Sequence, residues 1–113
     1  MRWILRSKIH NAIVTESNLR YIGSITIEEE LIEKACFLVG EKVLVVSNTS
    51  GVRLETYIIK GKKSSGVICM NGASSHLIKK GEEIIIMGFE LLDKEIKPKI
   101  VLVDKNNHFL KYL

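Results

Sequence analysis

At 113 residues the chain makes one domain, large enough to bury a real core and too small for two. Hydrophobic residues make up 46%, which excludes a disordered chain, and no apolar run reaches the length that spans a bilayer. The formal charge of +4 comes from scattered lysines with only 6% aromatics, so it suits small anionic metabolites as well as nucleic acid. The opening "MRWILRSKIHNAIV" lacks a signal peptide's small-residue cleavage site. Cys36 and Cys69 lie far apart without a CxxC and read as buried, reduced thiols of a cytoplasmic protein.

In chain order the pattern is one of short strands. "RWILRSKI" and "NAIVTE" are apolar-rich runs separated around His10, and "YIGSITI" follows a polar "ESN" turn. "EEELIEKACFL" predicts the one clear helix. Leu31, Ile32, Ala35 and Cys36 recur there at helical spacing, with glutamates at the N-terminal end where the helix dipole favours acids. "EKVLVVSN" and "VRLETYIIK" are β-branched runs joined by "NTSG", a hairpin with Gly51 at a positive φ. "GVICMN" predicts a further strand, "GASSHLIKKG" a turn or short helical stretch, and "EEIIIMGFELL" and "PKIVLVD" complete the β content. Pro98, the only proline, starts its strand, where a missing N–H does least harm. Many short strands with one or two small helices, and no repeat or linker, predict a closed or nearly closed β-barrel. Closure also protects the edges of such apolar strands.

Candidate chemistry falls in a handful of short motifs. Gly23-Ser24 interrupts an apolar run, where glycine marks a bulge, a bend or a close approach. In "RLETY", Arg53 and Tyr57 share one strand face while Thr56 points to the other, so a bulge is needed to bring Thr56 and Tyr57 to one site. In "SKIH", Lys8 and His10 share a face. In "MNGASSH", Asn71-Gly72 starts a turn whose small residues open backbone N–H groups to an anion. Taken singly, each has a plainer explanation: a bulge, a solvated arginine beside a core tyrosine, a surface histidine, an ordinary turn. Scattered histidines with no Cys/His/Asp cluster predict no metal site.

Together and in this order, "SKIH", "YIGS", "SGVRLETY" and "NGASSH" resemble the aspartate 1-decarboxylase family, small pyruvoyl-dependent enzymes that make β-alanine for pantothenate synthesis. The resemblance runs from Met1 to about Asp104. It implies a mainly β fold, a small six-stranded double-psi β-barrel with one or two short helices, assembled as a homo-tetramer with each pocket where neighbouring barrels meet. The sequence departs from the family at Ser74 and Ser75, where alanines are common, and at Val46, where some members carry an aromatic residue and a tighter wall. The tail "DKNNHFLKYL" holds no informative match.

The resemblance gives the glycine a purpose. It implies that the Ser24 hydroxyl attacks the Gly23 carbonyl and converts the amide into an ester. Elimination then releases the upstream chain and leaves dehydroalanine, which hydrolyses to a pyruvoyl group and ammonia. The single domain 1–113 is thereby cut into a β chain, 1–23, and an α chain, 24–113. Bringing Ser24 Oγ onto that carbonyl demands a strained backbone, which glycine adopts at least steric cost. Thr56 matches the oxyanion donor of processing and Tyr57 the proton donor of catalysis. The pyruvoyl group from Ser24 forms a Schiff base with L-aspartate and accepts the electrons left when CO2 departs. Arg53 and Lys8 match the family's cations for a dicarboxylate, Arg53 through its bidentate fork. His10 and the backbone of Asn71, Gly72 and Ala73 line the site. No nucleic-acid or membrane partner is implied, and no maturation helper is read from the sequence. Other classes stay open: a nucleic-acid-binding or regulatory β-barrel with an intact chain, a relative that keeps the fold but has lost processing and acts as a binding or scaffold protein, and, closer still, a pyruvoyl decarboxylase of another small amino acid.

Overall fold

Alternation of buried and exposed side chains along short strands sets the architecture. The computed structural model describes residues 1–113. The strands are β1 (Arg2–Ile13), β2 (Glu16–Asn18), β3 (Ser24–Glu28), β4 (Lys42–Ser47), β5 (Arg53–Gly61), β6 (Ile68–Asn71), β7 (Glu83–Leu92), β8 (Lys99–Val103) and β9 (Phe109–Tyr112). One helix, α1 (Glu29–Ala35), and a 3₁₀ turn at Gly72–His76 complete the fold. The strands form one ladder in the order β2-β6-β3-β5-β4-β7-β1-β8-β9. The mainly β reading holds. The resemblance implies six strands; the ladder has nine, of which β2, β6 and β9 are of three or four residues each.

The sheet curls back on itself. Thr15, just beyond β1, donates its amide N–H to the Ile68 carbonyl in β6 at 2.8 Å, and its hydroxyl accepts the Ile68 N–H at 2.9 Å. Members distant in the ladder therefore meet. A single cluster of 19 buried apolar residues joins Ile25 and Ile27 of β3 to Val101 and Val103 of β8. A curled wall around one shared core is the barrel-like packing that the strand pattern predicts.

Local chemistry explains where elements start and stop. The Glu28 carboxylate, 1% exposed, caps α1 by accepting the Glu30 N–H at 2.5 Å, and it also accepts the Ser64 N–H at 3.1 Å. Leu31, Ile32 and Ala35 turn to the core. The helix ends at Cys36, whose left-handed conformation (φ 56°) swings its side chain out of the apolar stripe. Cys36 is consequently exposed, which corrects the reading of both cysteines as buried; Cys69 is buried, and both are unpaired. The expected break around His10 is instead a bulge. β1 runs unbroken for 12 residues, with a register shift between Ile9 and Ala12 and Asn11 at φ 64°. The hairpin at Gly51 (φ 79°) forms as predicted. No helix is long and apolar enough to cross a membrane.

Candidate active site

Ser24 opens β3 opposite Asn71 of β6 and is 1% exposed. Its hydroxyl donates to the Ile22 carbonyl at 2.8 Å. The serine oxygen thus reaches back past Gly23 toward the carbonyl two residues upstream. The Asn71 carboxamide holds it there: Nδ2 donates to Ser24 Oγ at 3.0 Å and to Thr26 Oγ1 at 2.8 Å. Behind the segment sits Gly72 at φ +67°, where an added Cβ would come within 2.7 Å of Gly23 Cα and 2.9 Å of Gly23 N. Only glycine fits there. Gly23 itself has no positive φ, and a Cβ built on it meets nothing within 4 Å. The strain expected at Gly23 is therefore absent. The conformational demand falls on Gly72, which presses backbone against backbone on the Gly23-Ser24 segment.

The strand β5 carries two candidates on opposite faces. Its pairing with β4 runs without a register shift from Arg53 to Tyr57, so no bulge unites Thr56 and Tyr57. Thr56 lies opposite the buried Val43 and faces inward, whereas Arg53 and Tyr57 face outward and are exposed. β3 and β5 are parallel, with Ile25 opposite Ile58. Counted back along that ladder, Ser24 falls level with Tyr57, and Gly23, just outside the strand, falls level with Thr56.

The cations lie elsewhere on the outer face. Lys8 and His10 are half-buried and alternate with the buried Ser7 and Ile9. Lys8 stands opposite Met87, Met87 opposite Leu44, and Leu44 opposite Glu55, while Arg53 stands opposite Val46. The three basic side chains thus rim a half-buried apolar surface of Leu44, Val46, Ile85 and Met87. Neither Lys8 nor Arg53 has a carboxylate within 4.0 Å. His10 Nδ1 is buried with no hydrogen-bond partner. Along the ladder this rim is distant from Ser24. Lys8 is four strands from β3 in the ladder, about 19 Å along the sheet. Arg53 is four residues along β5 from Tyr57, about 13 Å.

The remaining departures resolve locally. Ser74 donates to the Asn71 carbonyl at 2.9 Å and Ser75 to the Gly72 carbonyl at 2.6 Å, so both hydroxyls bind carbonyls of their own turn. Ala73 is exposed at the same turn. Thr26 and Cys69, which the sequence reading passes over, join the site through Asn71; period-2 alternation in "SITI" and "ICMN" was the signal that places them beside Ser24 and Asn71. A groove of about 600 Å³ opens on the same outer face between Trp3, Lys42, Leu44, Glu55 and Phe89, and it includes neither Ser24 nor Arg53.

Residues 1–110 match the family model described as aspartate decarboxylase. The chain is similar to the aspartate 1-decarboxylase of Caldicellulosiruptor saccharolyticus, 54% identical with 96% of this chain and 88% of the relative covered. The aspartate 1-decarboxylase of Pelotomaculum thermopropionicum is 50% identical, covering 96% and 85%. That of Bacillus cereus is 45% identical, covering 99% and 91%. An ordered serine behind a glycine, a clamp of Asn71 and Gly72, and a full-length match lead to one conclusion: the chain belongs to the aspartate decarboxylase family.

Proposed function

We propose that the chain decarboxylates L-aspartate to β-alanine and CO2, in the supply of pantothenate in the cytoplasm, with a pyruvoyl group that it makes from Ser24 by cutting itself after Gly23. The observation that carries this reading is the Asn71 Nδ2 bond to Ser24 Oγ, within a chain that matches the family from end to end. The surroundings fit such a precursor: an N–H stays aimed at the Ser24 position, and Gly72 leaves no room for anything but the cleavage segment. In the cut, a bond forms from Ser24 Oγ to the Gly23 carbonyl carbon and the Gly23–Ser24 C–N bond breaks. The hydroxyl proton ends on the Ser24 nitrogen. Elimination across Cα–Cβ of Ser24 then frees Gly23 as a carboxylate, and water releases the nitrogen as ammonia. Thr56, level with Gly23, donates to the oxyanion of the first step.

The pyruvoyl group supplies an electrophilic carbonyl that takes up electrons, which no side chain offers. The chain's own residues bind, orient and deliver protons. Arg53 holds a substrate carboxylate in its planar fork, Lys8 adds a point charge, and Tyr57 Oη holds the proton for the carbon that loses CO2. His10 and the Asn71-Gly72-Ala73 backbone line the substrate space. A second copy completes each site within a homo-tetramer of double-psi barrels. The exposed Trp3, Leu38, Phe89 and Leu91 are apolar surface for such contacts.

Intact-mass spectrometry tests the reading. Purified protein is expected as two pieces, residues 1–23 and residues 24–113 beginning with the pyruvoyl group, while Ser24→Ala stays one inactive chain. A wild-type chain that remains whole after prolonged warm incubation and shows no decarboxylase activity overturns it. Assays on other small amino acids beside L-aspartate decide the substrate.

A further inference from the structure

We infer that Cys69 and Thr26 are positioning residues for chain cleavage: Cys69 fixes which way the Asn71 carboxamide faces, Thr26 anchors its Ser24-facing edge, and together they set where Ser24 Oγ sits. This rests on the self-cleavage reading above and adds residues to it. The carboxamide is engaged on both sides. Cys69 Sγ lies 3.1 Å from Asn71 Oδ1, a contact in which only the thiol can donate. Burial first, and the nearby Glu16 next, push the Cys69 thiol up to about 11, so it keeps its proton at neutral pH and remains a donor. On the other side, Nδ2 gives one N–H to Thr26 Oγ1 at 2.8 Å and one to Ser24 Oγ at 3.0 Å.

The direction matters because Ser24 already uses its proton on the Ile22 carbonyl. Toward Asn71 it is an acceptor, and only Nδ2 serves it. With the carboxamide turned over, Oδ1 would face Ser24 and Thr26, and both hydroxyls would donate to it. The Ser24 proton would then leave the Ile22 carbonyl, and Oγ would lose the rotamer which that bond fixes next to the peptide that it must attack. Cys69 opposes that flip by donating to Oδ1, whereas Thr26, whose hydroxyl donates as well as accepts, bonds the carboxamide in either orientation and anchors the edge that faces Ser24. Both neighbours follow from pairing: Ser24 is opposite Asn71 and Thr26 opposite Cys69, so the four side chains share one face of β3 and β6.

The test is the rate at which freshly purified chain is converted into residues 1–23 and 24–113, followed by intact mass for wild type, Cys69→Ala, Cys69→Ser, Thr26→Val and Thr26→Ser. Losing one hydrogen bond that holds the reactive rotamer is expected to slow cleavage about tenfold in Cys69→Ala and Thr26→Val. The serine variants, which restore a hydroxyl at each place, are expected to cut within about threefold of wild type, a rescue that a packing role does not give. Thermal melts confirm that each variant is folded, and if Cys69→Ala does not fold, the isosteric Thr26→Val and its serine counterpart decide. Equal rates in wild type and both deletion variants overturn the inference, as does slowness in the serine variants equal to that of Ala and Val. A wild-type chain that never cuts overturns the self-cleavage reading itself, a different result from a wild type that cuts as fast as its variants.

Discussion

Two glycines separated in sequence meet in space, and they tolerate change differently. Gly23→Ala adds a Cβ to open space at an ordinary φ, so its melting temperature is expected to stay close to wild type. Gly72→Ala forces a side chain into a left-handed backbone and against Gly23, and it is expected to cost about 2 kcal/mol or more in thermal or urea unfolding. Among the polar residues the roles separate by kinetics. Arg53→Lys keeps charge but loses the fork, and a loss of about 2–3 kcal/mol, roughly two orders of magnitude in turnover on L-aspartate, is expected with cleavage preserved. Wild-type kinetics in that variant would make Arg53 a plain surface cation. Tyr57→Phe is expected to lower kcat more than it raises KM, because the lost group acts on a proton and not on binding. Thr56→Val keeps shape, faces inward at the level of Gly23, and is expected to slow cleavage with little change in the melt. The notion that Gly23 stores strain was legible from its neighbours but wrong in place, since backbone conformation depends on what packs against it.

Elements that fold by local pattern were readable, and those that depend on distant partners were not. The α1 stripe and the Gly51 hairpin follow from periodicity and turn chemistry alone. The β1 bulge and β9 do not, because both are set by pairing with strands far along the chain. Asn107 shows how. Fully buried at φ 63°, it accepts the Ile13 N–H at 2.7 Å and donates to the carbonyls of Ile13 and Gly66, each at 2.8 Å. Nothing in "DKNNHF" announces that. Asn107→Ala is expected to cost about 3 kcal/mol in denaturant unfolding, since the backbone groups it serves are left unpaired in the interior. Glu82 ties the β4–β5 hairpin to the turn before β7. The Ser47 hydroxyl, at 2.6 Å, and then the Lys79 amide, also at 2.6 Å, hold its carboxyl below the usual 4.5 against the opposing effect of burial. A carboxyl with a lowered folded pKa stabilises above its unfolded value, so this contribution is full above about pH 4.5 and is lost as pH falls through the folded pKa. Urea midpoints across that range are expected to fall with acid in wild type and to fall less in Glu82→Gln.

At the scale of the molecule, the buried Ser24 and the cationic rim lie on strands well separated in the ladder. Light scattering is expected to report a homo-tetramer, and an active monomer at working concentration would reject a shared pocket. A sharper measurement mixes two inactive chains. If Ser24 of one copy works with Lys8 of another, tetramers assembled from Ser24→Ala and Lys8→Ala chains contain some complete sites and regain part of the activity. Hybrids as inactive as either parent would mean that both residues must come from one chain.

By itself the sequence determined the strand-rich class, the helix, the hairpin and the family, because short-range periodicity, turn residues and the spacing of four motifs are written along the chain. Only the tertiary structure decided which motifs meet. It set Asn71 on Ser24, kept Thr56 and Tyr57 on opposite faces, laid Gly72 against Gly23, and left Lys8 and Arg53 on the outer face that Tyr57 shares. Those outcomes depend on cross-strand register between β3, β5 and β6 and on the curl of the ladder. Register is a property of pairs of strands, and no single strand's sequence carries it.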